Sequence, residues 1–494
     1  MATSHLRQPA ARSMGKQSVK GISSSNRWAT LAMLEEDESV LQRDWLSNLP
    51  DDLLLDIIER LDVADAMRTS ILSTRWKLIP TMLSKIHIIV GSTDDVQERT
   101  CDAARANATV LGATRSLLES RSTSPYTIHR LCMQFFLGDA SIKIGQAVAK
   151  TIATQKVAFA ELTILTELES KRREVANGKQ FASFVNACPN TFSCLTRLKL
   201  ENLRLGESDF FPKLLRLCER LEFLCLDHCD MGSMSLLSVE HPRLREIEIF
   251  WCDFERVDLN WLPELTTLTF SCWKSLHYPL SFGYVPLLHS ASIGNAALEH
   301  EMLKLSEFLG KATISILCLG FGREKIWVKP EDPRELSQVF SKLRVVHLTA
   351  ISDECDLTWT MFVLQGAPFL EELGIKVCNC PGIWDEHNKQ LAHRERKDAG
   401  AKWEASDFKH RNLYVLRIFG FQPEDKFVDY AKAVMEAAVN LEDIYLHEKP
   451  ACKVGCGYTP PQSDRYPRSR REKFLVKNSL GMHMRPFIRL YFVL

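Results

Sequence analysis

The chain has no excess of charge of either sign: 62 Lys and Arg are matched by 62 Asp and Glu, a formal net charge of zero. That balance speaks against a nucleic-acid surface, which needs a basic excess or stripe. No apolar run approaches the length of a membrane span. Residues 1–27 contain no apolar central segment of the kind a secretion signal carries. The common catalytic signatures are missing as well. There is no phosphate-cradling Gly-Lys-Ser/Thr loop, no His-Glu-x-x-His and no Gly-x-Ser-x-Gly.

What is present is ordinary for a globular protein: 494 residues, 45% hydrophobic and 25% charged, enough for more than one core. Residues 1–27 are rich in Ser and carry Arg7, Arg12, Lys16, Lys20 and Arg27 without acids. Such a segment would suit a transit peptide, but its composition reads as a disordered tail. Fifteen cysteines spread over a chain without a secretion signal point to reduced thiols in cytoplasm or nucleus. The Asn107-Ala108-Thr109 sequon is then expected to carry no glycan. His447 with Cys452 and Cys456, and Cys378 and Cys380 with His387 and His393, are two loose clusters without the paired spacing of zinc sites. They read as loop residues, so no metal and no cofactor is expected. Arg468, Arg470, Arg471 and Lys473 read as a solvated loop, with a nuclear-import signal as the alternative.

Residues 44–79 stand apart. A helix expected from Asp51 to Leu61 carries Leu53, Leu54, Ile57, Ile58 and Leu61, an apolar surface too wide for one shallow contact. Two more short helices are expected, at Val63–Ile71 and Ser73–Leu83. Three helices in about 40 residues make a marginal core. Their surplus apolar surface suits a partner.

A second signal is a repeat of the form apolar-x-x-apolar-x-apolar. It starts at Leu195, Leu221, Leu244 and Leu265, then more weakly at Leu288, Ile314, Leu343, Leu370, Leu413 and Leu441. Earlier copies are expected at Leu83, Ile128 and Phe159. Between Leu195 and Leu370 the copies recur every 21 to 29 residues, a period that marks a solenoid. Each hexamer ends in a short strand with one buried face, and stacked copies cover what one copy cannot. Helices are expected between copies, at Glu207–Cys218 and Glu299–Leu309. Cys229, Cys252 and Cys378 each follow the last strand apolar residue by three positions, and Cys272 by two. Near the end, a strand from Asn412, a helix at Glu424–Ala438 and a strand from Leu441 form one unit. The apolar segment Pro486–Leu494 reads as either a terminal strand or an exposed sticky end.

The first module resembles the F-box. The resemblance rests on Leu49-Pro50, Leu53-Leu54, Ile57, Leu61, Arg68, Leu72-Ser73 and Arg75-Trp76. The repeats resemble irregular leucine-rich repeats, and the strand–helix–strand unit resembles the FBD module of plant F-box/leucine-rich-repeat proteins. The resemblance implies an α/β fold, with a small all-helical F-box before a leucine-rich-repeat solenoid. The expected divisions are a disordered tail (1–43), F-box (44–85), a connecting region with a first irregular repeat (86–155) and the solenoid (156–384). A charged insertion (385–411), the FBD-like unit (412–448) and a C-terminal loop and tail (449–494) follow.

The resemblance also implies a function. The chain would be the non-catalytic, substrate-recruiting subunit of a Skp–cullin–F-box ubiquitin ligase, reaching the cullin and RING subunits through a Skp-type adaptor. Leu49, Pro50, Leu53, Leu54, Ile57, Leu61, Leu72 and Trp76 are expected to build the adaptor-docking surface or the core beneath it. On the strands, Arg197, Lys199, Phe223, Cys225, Glu246, Glu248, Thr267 and Thr269 are expected to face a target protein. No nucleic-acid or membrane partner is expected. Two other readings stay open: a leucine-rich-repeat scaffold not coupled to a ligase, and an enzyme using His447 and its neighbouring cysteines.

Overall fold

The computed structural model describes residues 49–61, 63–69, 72, 75–76, 79–90, 103–119, 121, 126–154, 157–166, 171–205, 209–232, 235–273, 275, 277–294, 302–310, 312–321, 326–352, 355–378, 407–448 and 465–494. The expected tail at 1–43 and most of the charged insertion lie outside these residues. In chain order the elements are α1 (Asp51–Glu59), α2 (Val63–Arg68), β1 (Lys85–Ile89), α3 (Ala103–Thr114), β2 (Ile128–Phe136), α4 (Ser141–Thr154), β3 (Val157–Leu165), α5 (Lys171–Ala187), α6 (Pro189–Ser193) and β4 (Arg197–Glu201). There follow α7 (Phe210–Leu217), β5 (Phe223–Asp227), β6 (Ser235–Glu240), β7 (Glu246–Phe250), β8 (Phe254–Trp261), β9 (Thr267–Ser271), β10 (Leu280–Tyr284), β11 (Ser290–Gly294), α8 (Leu305–Leu309) and β12 (Ile316–Gly320). The last are α9 (Pro333–Val339), β13 (Val345–Ser352), α10 (Met361–Gly366), β14 (Glu372–Cys378), β15 (Val415–Phe419), α11 (Asp425–Ala437), β16 (Asp443–His447), α12 (Arg470–Ser479) and β17 (Arg489–Val493).

Every copy of the hexamer pattern contributes a strand to one 14-stranded sheet, in the order β1-β2-β3-β4-β5-β7-β9-β11-β12-β13-β14-β15-β16-β17. Each neighbouring pair is parallel, as a right-handed stack of strand–return units requires. The alternation inside each copy sets the layers. Leu198 and Leu200, Ile247 and Ile249, and Ile444 and Leu446 point into the core, and the residues between them point to the other face.

Three returns are strands, where helices were expected in general. The starts Leu221, Leu244, Leu265 and Leu288 lie only 23, 21 and 23 residues apart. An extended segment spans a sheet's depth in fewer residues than a helix does, because it rises more than twice as far per residue. In this stretch β6, β8 and β10 therefore form a second, three-stranded parallel sheet behind the first. The longer repeats on either side return through helices such as α7, α9 and α11.

The turn after each strand repeats too. Asn202, His228, Trp251 and Cys272 each follow a strand directly and have φ between 51° and 62°, and Ala350, with φ 54°, lies at the register shift inside β13. Gly420 does the same after β15, with φ 73°. This left-handed residue swings the chain under the strand. The next residue is buried: Cys229 and Cys252 donate their thiols to the carbonyls of Leu200 and Leu226, in the preceding repeat, at 3.6 and 3.5 Å. Cys272 is not their equivalent. It occupies the left-handed position, and buried Trp273 takes the inner one. The Cys378 side chain lies outside the described residues.

The C-terminal region differs from a loop and tail. The basic run Arg468–Lys473 opens α12 through a capping box. Ser469 Oγ accepts the Glu472 N–H, and the Glu472 carboxylate accepts the Ser469 N–H. Arg468 pairs with the buried Glu448. The apolar segment forms β17, which extends the main sheet beside β16. Asn107 of the sequon is buried in α3, where its side chain exchanges two hydrogen bonds with the Phe136 backbone.

Candidate functional site

The first site grows from the spacing of apolar residues on α1. Residues four apart share a helix face. Leu54 and Ile58 point inward and are fully buried; Leu53, Ile57 and Leu61 run along the adjacent face. Asp51 and Asp52 sit in the first turn, where acids suit the helix dipole. Arg75 then reaches back to Asp51 Oδ1 at 2.6 Å and ties the third helical segment to α1.

That geometry divides the residues expected to dock an adaptor. Leu53 is 48% exposed, Leu61 38% and Leu72 53%. Pro50 is exposed, and Leu49 and Ile57 are half-buried. Leu54 and Trp76 are corrected out of the docking surface: they are 0% and 2% exposed and belong to the module's own core with Ile58, Ala66, Ile79 and Leu83. This core runs without a break into Ile86 and Ile88 of β1. The module is therefore fused to the first edge of the sheet, and Lys85 adds an ion pair to Glu59 at 3.8 Å.

The second site is the open face of the main sheet. Register places Glu161, Arg197, Phe223, Glu246 and Thr267 in one row, and Lys199, Cys225, Glu248 and Thr269 in the next. Phe223 and Cys225 are corrected here. The Arg197 guanidinium lies 3.6 Å over the Phe223 ring, which is 8% exposed. Cys225 is buried between the registers of Lys199 and Glu248. Arg197, Lys199, Glu246, Glu248, Thr267 and Thr269 are half-buried on this face. Burial, helped by the charge of Glu246, raises the pKa of the Glu248 carboxyl.

Sequence reasoning missed the far end of this face. His347 Nε2 hydrogen-bonds Glu372 Oε1 at 3.1 Å, and Arg417 Nε donates to the same oxygen at 2.9 Å. Tyr445 and His447 stand beside them on β16. The copies at Leu370, Leu413 and Leu441 held the signal, since Glu372, Arg417 and Tyr445 occupy intervening positions of their strands. Cys452 and Cys456 lie outside the described residues, as do Cys380, His387 and His393. Among the described residues no three His, Cys, Asp or Glu side chains converge on a metal position. No helix among them is long and apolar enough to cross a membrane.

Comparison with known proteins agrees with this layout. A family model of the F-box domain matches residues 46–87. A second, described as "At1g61320/AtMIF1, LRR domain", matches residues 180–466, more than half of the chain. The Arabidopsis thaliana F-box/FBD/LRR-repeat protein At5g56420 is 24% identical over 232 residues, 42% of this chain and 50% of that protein. The Arabidopsis thaliana FBD-associated F-box protein At5g56390 is 23% identical over 356 residues, 67% of this chain and 77% of that one. The Arabidopsis thaliana F-box protein At1g80960 is 34% identical over 85 residues, 16% of this chain and only 17% of its own length. With a helical F-box fused to a parallel α/β repeat sheet, the chain belongs to the F-box/leucine-rich-repeat proteins, and its relatives are plant F-box/FBD/LRR-repeat proteins.

Proposed function

We propose that this protein is the substrate-recruiting subunit of a Skp–cullin–F-box ubiquitin ligase, and that it performs no bond chemistry itself. The observation that carries the reading is the stripe Leu53, Ile57 and Leu61, with Leu72 exposed on the same small module. Large apolar side chains left open on a module with its own packed core favour a docked partner. Burying each would contribute about 1.5–3 kcal/mol. A Skp-type adaptor covers this stripe and connects the chain to cullin and RING subunits. The open sheet face holds the target near a ubiquitin-conjugating enzyme and raises its effective concentration. Free thiols, buried at Cys188, Cys218, Cys229 and Cys252, suit a reducing compartment, the cytoplasm or the nucleus.

Co-purification with a Skp-type adaptor tests the reading, comparing the wild type with Leu53→Glu/Leu61→Glu. Capture by the wild type and its loss in a folded variant is the expected result. A folded wild type that captures no adaptor would leave a leucine-rich-repeat scaffold not coupled to a ligase.

A further inference from the structure

The end of the open face formed by β14 to β17 carries two parallel rows, each a cation followed by two rings. Register aligns Lys376, Phe419 and His447 in one row, and Arg417, Tyr445 and Tyr491 in the other. Lys376 Nζ stands 5.2 Å from the Phe419 centroid, and Phe419 stacks on His447 at 4.1 Å with 10° between planes. Arg417 Cζ stands 4.3 Å from the Tyr445 centroid, and Tyr445 stacks on Tyr491 at 4.7 Å and 11°.

Stacking along the sheet decides what these rings offer. Phe419 lies between Lys376 and His447, and Tyr445 between Arg417 and Tyr491, so the faces of these two rings, the negative part of each quadrupole, are occupied. What remains for the groove is ring edges, which carry the positive part, together with tyrosine hydroxyls. The nearby carboxylates are already engaged. Glu372 takes Arg417 and His347, and Asp443 takes Arg489 at 2.6 and 2.9 Å. Among the described residues no carboxylate lies within ion-pair distance of Lys376. Among the described residues this end of the face therefore has one unneutralised positive charge set among electropositive edges.

We infer that this end of the sheet receives an extended segment of the target protein bearing an acidic side chain, carboxylate or phosphoryl, seated between Lys376 and the ring edges. The inference rests on the target-binding reading above and names the chemistry of that target. A polyanion such as nucleic acid is a poor match, because one surplus cation neutralises one charge and the chain as a whole is neutral. Four strands span about 14 Å at about 4.8 Å per step, the length of four or five extended residues.

The test uses the full chain co-purified with its adaptor. The probes are three fluorescent glycine–serine decapeptides, each carrying one central glutamate, glutamine or phosphoserine. The glutamate or phosphoserine probe is expected to bind at least about tenfold more tightly than the glutamine probe. The tighter of the two identifies carboxylate or phosphoryl. Lys376→Gln, a half-buried groove position outside the packed core, is expected to remove the preference, and Lys213→Gln, exposed on the return helix α7, to keep it. Equal binding of all three probes, no binding of any, or equal loss in both variants overturns the inference. Adaptor capture is read in the same samples. A chain that holds the adaptor but shows no preference for anions loses this inference and keeps the ligase reading.

Discussion

The imidazole of His347 fills the space that a side chain at Gly374 would need: a Cβ there would stand 2.6 Å from His347 Cδ2. The two are register partners on β13 and β14. With no side chain on Gly374, the ring leans across and reaches Glu372 at 3.1 Å. A glycine in a strand interior often marks such a close approach.

Gly374→Ala is expected to destabilise the protein by about 1–3 kcal/mol, the usual cost of overpacking. His347→Ala should relieve most of it. Urea unfolding of both single variants and the double variant measures the coupling. Additive effects would mean that the two positions do not compete for space.

Glu372 sets a pH dependence. Its hydrogen bond from His347, followed by that from Arg417 against the opposing effect of burial, lowers its pKa from 4.5 to about 2. A carboxyl with a depressed folded-state pKa binds its proton more readily when unfolded. The stability it contributes is fully present above pH 4.5 and is lost as pH falls towards 2. Unfolding midpoints of wild type and Glu372→Gln, measured from pH 6 to 2, should converge at the acid end. Parallel curves would show that this carboxyl contributes no slope.

Core and surface of the F-box should separate by mutation. Leu54→Ala is expected to cost about 2–5 kcal/mol and Trp76→Ala about 3–5 kcal/mol, through the cavities they leave. Leu53→Ala and Leu72→Ala, at exposed positions, should change stability by less than about 0.5 kcal/mol. The same two substitutions should weaken adaptor capture. Thermal unfolding beside adaptor pull-down distinguishes the groups, and an exposed-site variant that unfolds the module would overturn the division.

The buried thiols should resist alkylation in the native state. Burial pushes the pKa of Cys218 up to about 12, and burial with the charge of Glu161 pushes Cys132 to about 11. At pH 8 the thiolate fraction is then about one in a thousand or less. Iodoacetamide labelling followed by peptide mass spectrometry should show both cysteines protected without denaturant and modified in concentrated urea. Rapid native labelling of Cys218 would contradict its burial.

Periodicity alone determined the main architecture. The hexamers beginning at Leu195, Leu244 and Leu265 show strands with one buried face, and their recurrence dictates stacking, because no single copy covers its own apolar residues. The order of Leu49-Pro50, the Leu53 to Leu61 ladder and Arg75-Trp76 marked the helical module in the same local way. Spacing also held a signal that went unread: intervals of 21 to 23 residues leave too little chain for a helical return.

Other features were decided only by tertiary structure. Leu53, Leu54, Ile57, Ile58 and Leu61 look alike in sequence. Packing against Trp76, Ile79 and the first strand selects Leu54 and Ile58 for the core and leaves Leu53 and Leu61 outside. Phe223 sits at a position that alternation assigns to the open face, yet Arg197 from the neighbouring strand covers it. The rows that join Lys376 to Phe419 and His447, and Arg417 to Tyr445 and Tyr491, bring together residues from four strands. Local pattern specifies which residues alternate, but cross-strand register depends on how far each return segment carries the chain, and that is settled only when the whole stack packs.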